Sequence, residues 1–125
     1  KSNVLDKGDN YILRCKTNWK YNDEGKIIEK LFSEYEYKKV NKTKKTLTST
    51  KKDVYEYNIK GGMPDYYYYE NDVLRMKTIY SNEDSYVTTF YFDGGFVVDS
   101  VYENATHTKD IFYSNGNIIR QKVYE

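Results

Sequence analysis

Residues 69–79 (YENDVLRMKTI), 80–90 (YSNEDSYVTTF), 91–101 (YFDGGFVVDSV), 102–112 (YENATHTKDIF) and 113–123 (YSNGNIIRQKV), followed by Tyr124 and Glu125, decide the fold. Tyr69, Tyr80, Tyr91, Tyr102, Tyr113 and Tyr124 recur every eleven residues, and Asn71, Asn82, Asp93, Asn104 and Asn115 follow the first five two positions on. An eleven-residue period would also suit a right-handed helical supercoil, because eleven residues close about three helical turns. Composition argues against it. Ala105 is the sole alanine, while Val, Ile, Thr, Tyr and Phe crowd every unit; these lose side-chain freedom in a helix and fit a pleated surface. Asp93-Gly94 and Asn115-Gly116 lie between apolar runs, and such pairs favour tight hairpins because both central residues accept positive φ.

Each unit therefore reads as a strand of about seven residues and a turn of about four. Strands joined by turns that short pair as antiparallel neighbours. The expected fold is all-β: an antiparallel meander of about ten short strands in an open, curled sheet, with an up-and-down barrel or half-barrel as the alternative. If every hairpin keeps the eleven-residue beat, all six repeat tyrosines share one face, and Ile79, Phe90, Val101, Phe112 and Val123 point to the other. Polar residues cluster mid-strand, at Arg75 and Lys77, Thr88 and Thr89, Asp99 and Ser100, Lys109 and Asp110, and Arg120 and Lys122. Neither face reads as plainly solvated.

At 125 residues the chain has the size of a single domain, with an irregular amino-terminal part at 1–62 and the regular array at 63–125. Gly61, Gly62 and Pro64 mark the internal break, since a proline cannot sit in a central strand. The lead-in to Asn10 is polar and reads as frayed at its start. Strands are expected from Tyr11 to Lys16, from Ile27 onward through Val40, and from Asp53 to Ile59. Trp19-Lys20-Tyr21 followed by Asn22-Asp23-Glu24-Gly25 echoes the tyrosine-then-turn pattern. Only 38% of residues are hydrophobic and 16 are Tyr, which implies a thin core. Lys1 in place of Met implies removal of a leading segment, by processing or by design of the expressed chain.

No apolar run approaches the roughly 20 residues that span a bilayer. The net charge of +1 argues against bulk attraction to nucleic acid. Its distribution is uneven, with seven lysines and no acid between Lys38 and Lys52. Lys42, Lys44, Lys45, Lys51 and Lys52 are candidates for contact with an anionic partner, against the plainer reading of a solvated hairpin. Cys15 and His107 are the sole residues of their types, so an internal disulfide is impossible and a thiolate or imidazole metal site is not expected. No cofactor site or catalytic constellation stands out, and the chain reads as non-enzymatic.

The residues Tyr69-Glu70-Asn71, Tyr91-Phe92-Asp93-Gly94-Gly95 and Tyr113-Ser114-Asn115-Gly116-Asn117, recurring at twenty-two with a half-step between, resemble the tyrosine-aspartate repeats of Rhs-type proteins. They are also similar to the MORN-like repeats of bacterial antitoxin components. The resemblance implies a bacterial, non-enzymatic β-repeat module that encases, binds or neutralises other proteins, in an extracytoplasmic or toxin-associated setting. Together these readings give a binding module for a protein or surface ligand. Its candidate contact surface is Tyr69, Tyr80, Tyr91, Tyr102, Tyr113 and Tyr124. The alternative is a lipocalin-like carrier holding a small apolar ligand inside a barrel.

Overall fold

The computed structural model describes residues 2–7, 11–38, 45–58 and 62–125. Ten strands follow one another as β1 (Ser2–Lys7), β2 (Tyr11–Tyr21), β3 (Ile27–Lys38), β4 (Lys45–Glu56), β5 (Asp65–Glu70), β6 (Val73–Asn82), β7 (Ser85–Tyr91), β8 (Phe96–Glu103), β9 (Thr106–Ser114) and β10 (Asn117–Val123). They form one sheet in chain order, with antiparallel pairing. The meander is as the repeat predicts. The barrel alternative is not formed, because β1 and β10 end the strand order and do not pair. Ser2–Lys7, read from its polarity as a lead-in, pairs with β2 along its whole length.

The chain divides into two compact units, Lys1–Val54 with Tyr69–Val73, and Tyr55–Tyr68 with Leu74–Glu125. In the first, Asn22 builds the β2–β3 turn, its Oδ1 accepting the backbone N–H groups of Glu24 and Lys26 at 3.0 Å. Asn71 is tied to β4, donating its N–H to the Thr50 carbonyl and accepting the Thr50 N–H on Oδ1, both at 2.9 Å. In the second, the β8–β9 turn is joined to the β6–β7 turn by Ala105 N–H to Asp84 O at 2.7 Å, and the β9–β10 turn to the β7–β8 turn by Asn115 N–H to Gly95 O at 2.9 Å. A Cβ on Gly95 would fall on the Asn115 side-chain oxygen, which would have to swing away, and the φ of +81° there is one that favours glycine.

The register overturns the expectation that the repeat tyrosines share a face. Asn82 pairs with Ser85 across a two-residue turn, but Tyr80 then pairs with Tyr86 because a bulge intervenes. Without it Tyr80 would oppose Val87 and lie on the face of Tyr91. A one-residue slip sends a whole strand's side chains to the other face. Equivalent bulges lie between Val101 and Tyr102 and between Ile118 and Arg120, and the β7–β8 turn obtains the same parity from three residues, 93–95. Tyr80, Tyr102 and Tyr124 therefore share one face, the front, and Tyr91 and Tyr113 share the other, the back. The residues preceding them alternate as well, with Phe90 and Phe112 in front and Ile79 and Val101 behind.

No hydrophobic side chain is buried among the described residues; those that are buried are Ser33, Asp65, Thr78, Thr89, Ser100 and Asp110. The thin core predicted from composition is thus a polar one. In a single layer a mid-strand side chain is shielded only by same-face neighbours, so small hydroxyls between rings are covered while the rings stay half-exposed. Each buried group must then be hydrogen-bonded, because an unpaired one costs about 1–3 kcal/mol.

Asn71, Asp72, Asn104, Ala105 and Asn115 carry positive φ, as two-residue primed turns require. Ala105, at +62°, is the one without a polar side chain that tolerates this conformation. Ala105→Gly should therefore raise stability by about 0.5–1 kcal/mol, read as a higher denaturation midpoint in urea at unchanged slope.

Candidate functional site

The front of the second unit carries a continuous row of rings. Tyr80 and Tyr86 lie 5.1 Å apart, Tyr86 and Tyr102 stack at 4.6 Å and 14°, Tyr102 and His107 stack at 4.7 Å and 16°, and His107 and Tyr124 lie at 4.2 Å. Five successive strands, β6 to β10 with its trailing Tyr124, each supply one ring. Every internal ring has a ring on either side, so the row is saturated by its own members. Cross-strand aromatic pairs of this kind contribute about 0.5–1.5 kcal/mol each beyond area burial.

Beneath that row lies a carboxylate centre that inspection of the repeat does not single out. Asp110 Oδ1 accepts from Ser100 Oγ at 2.7 Å and lies 2.7 Å from His107 Nε2, while Oδ2 accepts from Tyr124 OH at 2.5 Å. Burial pushes the Asp110 carboxyl upward, but the hydrogen bonds from Tyr124, Ser100 and His107 outweigh it and hold the group below the usual carboxylate range. The same bond to Asp110, followed by burial, raises the Tyr124 phenol. Burial, then the neighbouring Tyr86 and Asp65, raises that of Tyr80.

Although Ser100, His107 and Asp110 are the residue types of a nucleophilic triad, their order differs. The carboxylate sits at the centre and receives both partners, and Ser100 gives its proton to Asp110, not to the imidazole. A triad instead needs the histidine between the other two. Cys15, half-exposed on β2 and paired with Glu34, has no part in this cluster.

The back repeats the plan eleven residues earlier. Thr89 Oγ1 donates to Asp99 Oδ1 at 2.5 Å, and Asp99 also accepts from Tyr113, whose phenol is raised first by burial and then by that carboxylate. Thr89, Asp99 and Tyr113 thus stand to one face as Ser100, Asp110 and Tyr124 stand to the other. One more step back, Thr88 replaces the acid and bonds Thr78, Oγ1 to Oγ1 at 2.9 Å. The signal is visible in retrospect: a hydroxyl, an acid ten residues on and a tyrosine fourteen beyond it. In the register Asp99 opposes Ile111.

The ring rows differ between faces. Behind, the register runs Tyr91, Val97, Tyr113, Ile118, so rings alternate with aliphatic side chains. Tyr91, Val97 and Tyr113, with Lys77, Thr89, Asp99 and Gly116, line an open depression of about 350 Å³. Of the six tyrosines proposed as one surface, Tyr80, Tyr102 and Tyr124 belong to the closed row and Tyr91 and Tyr113 to the gapped one. Tyr69 lies in the first unit under the ammonium of Lys52, at 4.8 Å.

In the lysine tract, Lys45 lies over the Tyr35 ring at 4.5 Å, so Lys45 and Lys52 are both engaged in cation–π contacts. Lys51 is exposed, and Lys42 and Lys44 fall outside the described residues. Among the described residues no group of three or more His, Cys, Asp and Glu is placed to hold a metal ion, and no helix is long and apolar enough to cross a membrane.

The two kinds of group give opposite pH dependences. Asp110 has a lowered folded-state value, so its contribution is present above the ordinary carboxylate range of about 3.9 and disappears as pH falls through that lowered value. Tyr80, Tyr113 and Tyr124 have raised values, so theirs is present below about 10 and disappears as pH rises through the raised values. Thermal unfolding from pH 7 to pH 2 should show a steeper acid loss for the parent chain than for Asp110→Asn. That variant should be about 1–3 kcal/mol less stable at pH 7, because it weakens bonds to three donors.

No protein-family model, curated protein or solved structure matches this chain.

Proposed function

We propose that the chain is a non-enzymatic binding module that recognises a protein or surface ligand through the back of its repeat array. The observation that carries this reading is the difference between the two ring rows. Rings that stack on one another along the front have their faces occupied and serve the sheet. Tyr91 and Tyr113 are separated by Val97, keep ring surface toward the depression they line, and are large, stiff and amphipathic, as contact residues commonly are. Half-exposed aromatic surface beside an open depression favours a partner.

A lipocalin-like carrier has less support, since an unclosed sheet encloses no interior for an apolar ligand. Toxin neutralisation, suggested by the likeness to antitoxin repeats, is one form the binding could take.

The test pairs two double variants. Tyr91→Ala with Tyr113→Ala should abolish retention of the partner in a pull-down from the source cells by chain that is still folded, at a cost of about 1–3 kcal/mol because Asp99 loses the Tyr113 donor. Tyr86→Ala with Tyr102→Ala should cost a similar amount yet leave retention intact wherever the protein is folded. Undiminished retention by the first pair would refute the back-face assignment.

A further inference from the structure

Resting on the binding reading above, we infer that the depression between Tyr91 and Tyr113 is a slot for one uncharged, hydroxyl-rich ring, a pyranose unit of a neutral saccharide. Three features lead there. The first is spacing. Tyr91 on β7 and Tyr113 on β9 are second neighbours across β8, and adjacent strands lie about 4.7–4.9 Å apart, so the two rings arise about 9.5 Å apart. A flat guest in van der Waals contact with both needs about 3.5–4.0 Å on each side. Val97 lies between them in the register and is the small residue that keeps the gap open.

The second feature is charge. The slot holds one cation, Lys77, and one anion, Asp99, and these sum to no net field. An anion would meet Asp99 and a cation would meet Lys77, so a guest without formal charge is preferred. The third is unused hydrogen-bonding capacity. A carboxylate offers about four acceptor positions, and Asp99 receives only Thr89 and Tyr113 among the side chains described. Lys77 carries three donors, and its described contact is with the Tyr91 ring at 6.0 Å, the outer limit of a cation–π contact. Acceptors and donors thus stand beside a space lined by two tyrosine rings. A pyranose matches that layout, with C–H groups on its flat sides and hydroxyls around its rim. The volume, about 350 Å³, lies at the low end of ligand sites, about 300–1,000 Å³.

The test is a proton NMR titration of the whole chain with maltose, cellobiose and N,N′-diacetylchitobiose, with glucuronate and glutamate as charged probes. Saturable shifts of the Tyr91 and Tyr113 ring protons are expected with at least one neutral disaccharide, with Tyr86 and Tyr102 unmoved. Val97→Phe fills the gap without removing either wall and suits a strand as well as valine; it should weaken binding at least tenfold at an unfolding midpoint no lower than the parent's. Asp99→Asn should weaken it several-fold. The inference is overturned by absence of a saturable shift with all three disaccharides, by tighter binding of either charged probe, or by a Val97→Phe chain that binds as the parent does. If Tyr91→Ala with Tyr113→Ala still loses its pull-down partner while no saccharide binds, the contact surface stands and the saccharide assignment alone is rejected.

Discussion

Parity is the constraint on which the array depends. The repeat is eleven residues, an odd number, and along a strand successive side chains point to opposite faces. Whether equivalent residues of neighbouring strands meet or part is therefore set by a single residue in each hairpin. The bulges after Tyr80, beside Tyr102 and after Ile118, with the three-residue turn at 93–95, supply that residue. Equivalent residues part, and one sequence unit writes its pattern alternately on two faces. The structural period becomes twenty-two although the sequence period is eleven.

That alternation also explains how the sheet holds together with no buried apolar side chain among the described residues. Each face receives rings at the strand ends and small polar groups in the middle, and the polar groups are paired across strands: Thr78 with Thr88, Thr89 with Asp99, Ser100 with Asp110. Individual cross-strand pairs are worth only about 0.2–1 kcal/mol. Their larger effect is on register. A slip by one residue would leave the Asp99 and Asp110 carboxylates in semi-buried positions without donors, at a cost several times the worth of a pair. The polar rows thus disfavour the alternative pairings that a repetitive sequence invites.

Much of this was legible in the residues. Asn and Asp two positions after each repeat tyrosine located the turns, and Asn71, Asn104 and Asn115 do carry the positive φ such turns demand. The strand count and chain-order pairing followed from turn length. The facing did not, because it hangs on Ser81, Thr108 and Ile119, the residues passed over at the bulges, and nothing in their chemistry distinguishes a bulged position from a paired one. The Asp110 centre escaped for a related reason. His107 and Tyr124 reach it through the front-face register, so their convergence becomes visible only once parity is known. The lysine tract was read by charge alone, whereas Lys45 and Lys52 also have rings beneath them.

With the facing known, the difference between the ring rows reduces to one position per unit. Six residues after Tyr80 stands Tyr86, and five after Tyr102, across a bulge, stands His107; each fills the place beside its repeat tyrosines and closes the front row. On the back the corresponding places hold Val97, six residues after Tyr91, and Ile118, five after Tyr113. An aromatic at that position completes a stack and commits the row to stability. An aliphatic one leaves two ring faces without a ring between them. Because the bulges send odd and even units to different faces, the two choices can coexist in one short repeat, with the front row holding the strands together and the back row free to meet something else.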